Sequence, residues 1–151
     1  MTPTIHATCL LIGPHGVLIR GPAGAGKTSL ALALIEACRV EKRFARLVSD
    51  DRVHIEALNG RLVARAPAEI AGKVERRGLG IVRIAHEPAA VVALLVDIVG
   101  DDAFERLPEA SSRRIAMEGV ELARIAVPHR VNQAKALVLA VVGTELAPSA
   151  F

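Results

Sequence analysis

The residues with the clearest chemical meaning lie in one glycine-rich segment, Gly21-Pro22-Ala23-Gly24-Ala25-Gly26-Lys27-Thr28. Its spacing is that of a Walker A phosphate loop: glycine, four residues, glycine, lysine, then serine or threonine. Backbone N–H groups of such a loop surround an oxyanion at a helix N-terminus, and the lysine reaches the β- and γ-phosphates. We predict that Thr28 also binds Mg²⁺ and that the nucleotide contacts are made by Gly21, Gly24, Ala25, Gly26, Lys27 and Thr28.

Two carboxylate positions compete for the second half of such a site, which needs an acid beside Mg²⁺ and a group that orients the acceptor. Asp50 and Asp51 follow a short apolar strand, whereas Asp97 ends the longer apolar run Val91–Val96. Adjacent carboxylates repel each other unless they share a cation or a proton, so the Asp50-Asp51 pair is informative. One of the pair would bind Mg²⁺, the other would face the acceptor hydroxyl, and a nearby imidazole would carry the proton. Spacing alone does not choose between the pair and Asp97.

The elements that must position these residues are short strands around one helix. The patterns predict strands at Thr8–Ile12 and Val17–Arg20, joined by a turn at Gly13–Gly16, and a helix from the phosphate loop to about Cys38. The segment 132–142 is compatible with helix or strand. Further strands are predicted at Arg46–Ser49, Arg52–Ala57, Arg61–Ala66, Ile81–Ile84, Ala90–Val99 and Ile115–Val127, with a hairpin turn at Asn59-Gly60 and a break at Gly119. We therefore predict an α/β fold, a P-loop nucleotide-binding domain with a mixed twisted sheet.

Length, composition and apolar patterning argue against several other classes of protein. The chain has 151 residues, which predicts one domain over 1–151. Aromatic residues make up 2% of it and its basic residues are scattered, so we expect no nucleic-acid partner. The sequence shows neither a signal-peptide pattern nor an apolar run long enough for a membrane helix, which predicts a cytoplasmic protein with no membrane partner.

Four sequence segments occur in the order in which similar segments occur in one known family. They are Ile5-His6, the phosphate loop, Arg46–Val53 with its Ser-Asp-Asp-Arg-Val ending, and Glu75–Ile81, which reads Glu-Arg-Arg-Gly-Leu-Gly-Ile. The last two are unusual among other P-loop kinases, so together they are specific. Over about Ile5 to Leu107 the chain resembles HPr kinase/phosphorylase, in a short form without the family's N-terminal domain.

The resemblance implies a phosphoenolpyruvate carboxykinase-like fold and a bifunctional enzyme of the phosphotransferase system. Such an enzyme moves the γ-phosphate of ATP, or phosphate from pyrophosphate, to a serine of the carrier HPr, and removes it with inorganic phosphate. ATP and Mg²⁺ are the implied cofactors, and an HPr-like protein is the implied partner; a homo-oligomer is left open. The implied catalytic residues are His6, Asp50 as the acid/base paired with it, and Arg106. The implied metal ligands are Thr28, Asp51 and Glu75, while Asp97 has no part in the chemistry.

Two departures from the family pattern keep other functions open. Ala23 stands where the family usually has serine, and Val127–Asn132 matches only partly the loop that precedes a conserved asparagine. One alternative is a nucleotide-sensing regulatory module without catalysis, which would bind ATP tightly and transfer nothing. The other is a small-molecule P-loop kinase, which would phosphorylate metabolites but not HPr.

Overall fold

The computed structural model describes residues 3–144 and 146, and within them it has two α-helices and eleven β-strands. The helices are α1 (Lys27–Val40) and α2 (Val131–Thr144), and short 3-10 helices cover Ala68–Ile70 and Ala110–Arg113. The strands are β1 (Thr4–His6), β2 (Thr8–Ile12), β3 (His15–Arg20), β4 (Ala45–Ser49), β5 (Arg52–Leu58), β6 (Arg61–Arg65), β7 (Lys73–Arg76), β8 (Gly80–Arg83), β9 (Ala89–Val99), β10 (Arg114–Met117) and β11 (Val120–Pro128). The predicted α/β class is confirmed, and the segment compatible with helix or strand is the helix α2. Neither described helix has the length and apolar character needed to cross a membrane.

Strand β9 joins the two parts of the main sheet. Its first residues pair antiparallel with β6, and its remainder pairs parallel with β3 and with β11. The order runs β1-β5-β6-β9-β3-β2-β4, with β10 attached through β11. Because β3, β9 and β11 are parallel, their C-terminal ends meet at one edge of the sheet. The phosphate loop starts from this edge.

The turns between neighbouring strands follow from their residues. Asn59 and Gly60 join β5 to β6 with φ angles of 52° and 77°, as a type I′ hairpin turn requires. The turn between β2 and β3 is Gly13-Pro14, shorter than predicted, because His15 already pairs with Ile12. The predicted break at Gly119 is the hairpin turn between β10 and β11.

Two apolar clusters stabilise the sheet. Alternate side chains of β9 point to opposite faces, so Leu94 and Val96 lie in one cluster and Leu95 in the other. The first cluster packs α1 and α2 against the sheet through side chains that include Leu34 and Val138. This packing fixes α1, and with it the phosphate loop, against the C-terminal ends of the parallel strands.

Candidate functional site

The phosphate loop connects the end of β3 to the first residue of α1. Gly24 and Gly26 have φ angles of 81° and 101°, in the left-handed region that glycine enters at little cost. The loop is closed by a 3.0 Å hydrogen bond from the Ala25 N–H to the Pro22 carbonyl. Gly26 caps α1, and as a glycine it has no side chain that could bond the N–H groups that begin this helix. These N–H groups are therefore available to an anion.

Lys27 lies beneath the loop. It is 8% exposed, and its Nζ donates hydrogen bonds to the carbonyl oxygens of Gly21 at 3.0 Å and Pro22 at 3.5 Å. These carbonyl groups orient the ammonium but carry no charge that would neutralise it. The ammonium thus adds a fixed positive charge to the anion site of the loop.

Asp50 is bound to both α1 and β2. Its Oδ1 accepts hydrogen bonds from the hydroxyl of Thr28 at 2.6 Å and from that of Thr8 at 3.0 Å. Thr8 is fully buried, and its Oγ1 accepts a 3.3 Å bond from the Asp51 N–H. Thr8 therefore holds both residues of the acidic pair. The sequence does not identify it, because its only signal is a polar residue at the start of an apolar strand.

A sharp backbone turn sends the two adjacent carboxylates in different directions. Asp51 has a φ of 68°, in the left-handed region that aspartate tolerates better than most residues. The turn is closed by the Ser49 hydroxyl, which donates to the Arg52 carbonyl at 2.6 Å, and by the Arg52 N–H, which donates to the Asp50 carbonyl at 2.8 Å. Asp50 is consequently buried beside α1, while Asp51 is exposed.

His6 reaches Asp51 through strand pairing. Strand β1 pairs antiparallel with β5, with His6 opposite Arg52, and the His6 Nδ1 lies 3.9 Å from the Asp51 Oδ1. The two side chains are 80% and 67% exposed, so an acceptor group can reach both. The structure therefore places His6 beside Asp51, whereas the resemblance pairs it with Asp50.

Glu75 comes from the hairpin of β7 and β8, which forms a separate two-stranded sheet. The base of this hairpin is fixed by a 2.9 Å bond from the Ile84 N–H to the Gly72 carbonyl. A Cβ atom on Gly72, whose φ is 72°, would lie 2.5 Å from the Nδ1 of His86. Glycine at this position thus lets the hairpin pack closely against the His86 ring.

The phosphate loop lies between two clefts. The acid cleft, with a volume of about 1530 Å³, is lined by residues that include Thr28, Asp50, Asp51 and Glu75. The apolar cleft, of about 890 Å³, lies towards the C-terminal ends of β9 and β11 and includes Ile98 in its lining. All three predicted metal ligands therefore face one cleft.

Asp97, the competing acid, is bound by two arginines. Its Oδ1 accepts a 2.9 Å bond from the Arg20 Nε, and its Oδ2 accepts a 2.7 Å bond from the Arg124 Nε. Burial opposes ionisation of Asp97, but the bonds from Arg20 and Arg124 outweigh it and lower the pKa of this carboxyl. A carboxylate engaged by two guanidinium groups is a poor candidate for a metal ligand, so the geometry favours the Asp50-Asp51 pair.

Arg106 lies on the exposed connection between β9 and the 3-10 helix Ala110–Arg113. It is not among the described residues that line the acid cleft or the apolar cleft. Its catalytic role stays a prediction that rests on the resemblance alone.

The oxygen ligands beside α1 suit a hard cation. In residues 3–144 and 146, no three or more His, Cys, Asp or Glu residues form a group that could hold a metal ion. Thr28 and Asp50 supply one hydroxyl and one carboxylate, which is the small ligand set typical of Mg²⁺ bound together with substrate phosphates. The residues thus fit Mg²⁺ in the company of a nucleotide.

A glycine-rich loop at the end of a parallel strand, beside a hydroxyl–carboxylate pair, defines a P-loop α/β domain suited to nucleotide phosphates. The family model described as the HPr Serine kinase C-terminal domain matches residues 1–147. The chain belongs to this family, as the resemblance in the sequence predicts.

Individual relatives agree with this assignment. The HPr kinase/phosphorylase of Streptococcus thermophilus is 32% identical over 147 residues, which cover 90% of this chain and 45% of that protein. The HPr kinase/phosphorylase of Clostridium beijerinckii is 40% identical over 80 residues, covering 53% of this chain and 24% of that protein. The solved structure of the Hpr(Ser) kinase/phosphatase from Coxiella burnetii matches 95% of this chain and 90% of that chain, with a TM-score of 0.78 and 26% identity. The chain spans less than half the length of these two curated relatives.

Proposed function

We propose that this chain is a protein kinase domain that transfers the γ-phosphate of ATP to a serine of an HPr-like phosphocarrier, with Mg²⁺ as cofactor. The observation that carries the proposal is the 2.6 Å hydrogen bond between Thr28 and Asp50, which joins the phosphate loop to the acidic pair. Membership of the HPr Serine kinase family supports the choice of acceptor.

We assign the two adjacent acids different roles, in the reverse of the division that the resemblance implies. Asp50 is 9% exposed and bonded to Thr28, which suits a carboxylate that holds Mg²⁺. Asp51 is exposed and 3.9 Å from the imidazole of His6, which suits a carboxylate that receives the proton of an incoming hydroxyl. The geometry thus favours Asp50 as the metal ligand and Asp51 as the base.

In the proposed reaction the serine oxygen attacks the γ-phosphorus, the bond to the β-phosphate oxygen breaks, and the serine proton passes to Asp51. The N–H groups at the start of α1 and the ammonium of Lys27 hold the phosphates in line. Bound Mg²⁺ supplies neutralisation of the charge on the phosphates. His6 stabilises the base and provides the next position for the proton.

The reverse reaction is part of the proposal, since two of the relatives are named kinase/phosphorylase. Inorganic phosphate would then attack the phosphorus of the phosphoserine to form pyrophosphate, the bond to the serine oxygen would break, and protonated Asp51 would return its proton to that oxygen. The same residues would serve both reactions, because each moves a phosphoryl group between a phosphate oxygen and the serine oxygen.

The test is intact-mass analysis of HPr after incubation with this chain, ATP and Mg²⁺. We expect a phosphate adduct on a serine of HPr, and no adduct with Lys27→Ala. His15→Ala is the matched control, because His15 lies at the end of β3 remote from the phosphate loop and should behave as the unchanged chain. Tight ATP binding without transfer to HPr would favour the regulatory module, and transfer only to metabolites would favour the small-molecule kinase.

A further inference from the structure

The proposed chemistry uses the acid cleft and leaves the apolar cleft unassigned. The apolar cleft is lined by the phosphate loop, the residues that follow β9 and β11, and the first residues of α2. We propose that it binds the nucleoside of the triphosphate and that the imidazole of His129 packs against the base. This inference rests on the proposed function, because it requires a nucleotide on the loop.

The direction of the triphosphate follows from the positions of the two clefts. Gly24, Gly26 and Ser29 line both of them, so the loop is their shared wall. Thr28 and Asp50 line only the acid cleft, which places the reacting end of the triphosphate there. A triphosphate extended along the loop from that end carries its nucleoside into the apolar cleft.

The surface of the apolar cleft suits the faces of a nucleoside. Its volume of about 890 Å³ lies within the usual range for small-molecule sites, roughly 300–1,000 Å³. Most of its walls are apolar side chains and glycine, with the larger apolar residues Pro22, Leu30, Ile98, Val99, Pro128 and Val131. Such walls accept a flat ring and its sugar without binding further phosphates.

His129 is the one ring among the described residues that line this cleft, apart from the prolines, and it is exposed between β11 and α2. A planar side chain at the mouth of an apolar cleft can stack on any base, because every base has a π-face. Ser29 and His129 are the polar side chains of the described lining, so the edges of a base meet few groups that could read them. We therefore expect the site to bind ATP and GTP with dissociation constants within about tenfold of each other.

The experiment is calorimetric titration of the full chain, in the presence of Mg²⁺, with ATP, GTP and inorganic tripolyphosphate. Tripolyphosphate occupies the loop but has no nucleoside, so its affinity reports the phosphate site alone. His129→Ala should weaken ATP and GTP about tenfold and leave tripolyphosphate unchanged. Ala103→Leu, at an exposed position of the lining, should fill part of the cleft and have the same selective effect. His15→Ala is the control that should change none of the affinities.

The outcomes separate this inference from the function on which it rests. If the unchanged chain binds neither ATP nor tripolyphosphate, the phosphate site and the proposed function both fail. If it binds both, and the two variants weaken ATP no more than they weaken tripolyphosphate, the kinase proposal stands and the nucleoside site is overturned. If the chain bound ATP more than a hundredfold more tightly than GTP, this result would contradict the inference that the cleft hardly distinguishes between the edges of different bases.

Discussion

Thr28 and Asp50 stand 22 positions apart in sequence, yet their side chains share a 2.6 Å hydrogen bond that ties the first turn of α1 to the end of β4. The hydrogen bond thus holds the hydroxyl and the carboxylate next to each other independently of any ligand. A metal ion bound by both would meet preorganised ligands, with little conformational entropy to lose. Thr8 strengthens this arrangement through its own 3.0 Å bond to Asp50.

The proposed division of labour between the two acids is tested by Asp50→Asn and Asp51→Asn. Asparagine keeps the shape of each side chain and tolerates the left-handed φ of 68° at position 51. Asp50→Asn should weaken Mn²⁺ binding in the presence of nucleotide by roughly tenfold or more, measured by electron paramagnetic resonance. Asp51→Asn should bind Mn²⁺ normally but transfer phosphate about 100-fold more slowly, because its amide cannot accept the proton. Equal metal affinities in the two variants would argue against the assignment.

Lys27→Met should lower the rate of transfer to HPr by about 100-fold or more, because it removes the fixed charge that aligns the phosphates. The apolar stem of methionine preserves packing beneath the loop, so the variant should keep its fold by circular dichroism. Lys135→Met, on α2 and outside the described lining of both clefts, is the matched control. Normal turnover by Lys27→Met would remove the phosphate loop from the chemistry.

Thr8→Val should destabilise the chain by roughly 1–3 kcal/mol in urea unfolding, because it leaves the Asp51 N–H and one bond of Asp50 without a partner. Valine has nearly the same shape as threonine, so the loss is of hydrogen bonds rather than of packing. Thr4→Val, at an exposed position of β1, should stay within about 0.5 kcal/mol of the unchanged chain. A Thr8→Val variant as stable as that control would show that the buried hydroxyl is dispensable.

Asp97 predicts a defined pH dependence of stability. Its pKa in the folded chain is lowered from 3.8, so the ionised form stabilises the fold at pH values above 3.8. That contribution is lost as the pH falls through the lower folded pKa. The difference in unfolding free energy between the unchanged chain and Asp97→Asn should therefore be largest near neutral pH and shrink below about pH 4. Asp101→Asn, which alters an exposed ion pair with Arg130, should show a much smaller dependence.

Gly72→Ala tests whether the base of the β7–β8 hairpin requires a residue without a side chain. An alanine Cβ would press on the ring of His86 and would also occupy a left-handed φ of 72°. Gly78→Ala is the matched control, because its φ is 87° but no described atom lies within 4 Å of the added Cβ. The two variants share the backbone strain of about 1 kcal/mol, so any further loss of stability or transfer in Gly72→Ala reports the contact with His86.

Features set by neighbouring residues are predictable from the sequence. The spacing of the phosphate loop and the Asn59-Gly60 turn depend on backbone conformations that only a few residue types adopt, and the structure has both. Strand β1 is too short to show a pattern, and it is defined by its pairing with β5. Helix α2 is ambiguous in sequence because its valines suit either state, and its packing against α1 and β11 places Val138 and Val142 in the core.

The contacts that form the candidate site join residues far apart in the sequence, and they are harder to predict than the local features. Asp97 resembles a metal-binding acid in sequence because it directly follows an apolar run, but its hydrogen bond to Arg20 spans 77 positions and no local pattern predicts it. The contact between Thr8 and Asp50 spans 42 positions and is equally hidden. Residue propensities and motif spacing predict the local structure of each segment. The contacts of Asp97 and Thr8 can be predicted only once the order of the strands in the sheet is known.

The position of β9 after the phosphate loop in the chain has a consequence for synthesis on the ribosome. Strand β3 and the phosphate-loop motif emerge before β9, but the parallel partner of β3 and the acid that binds Arg20 both belong to Ala89–Val99. A nascent chain that stops before this strand carries the whole nucleotide-binding motif without the sheet edge that positions it. Protection of the phosphate loop from proteases, and capture of nucleotide by the growing polypeptide, should therefore begin only after β9 has left the exit tunnel.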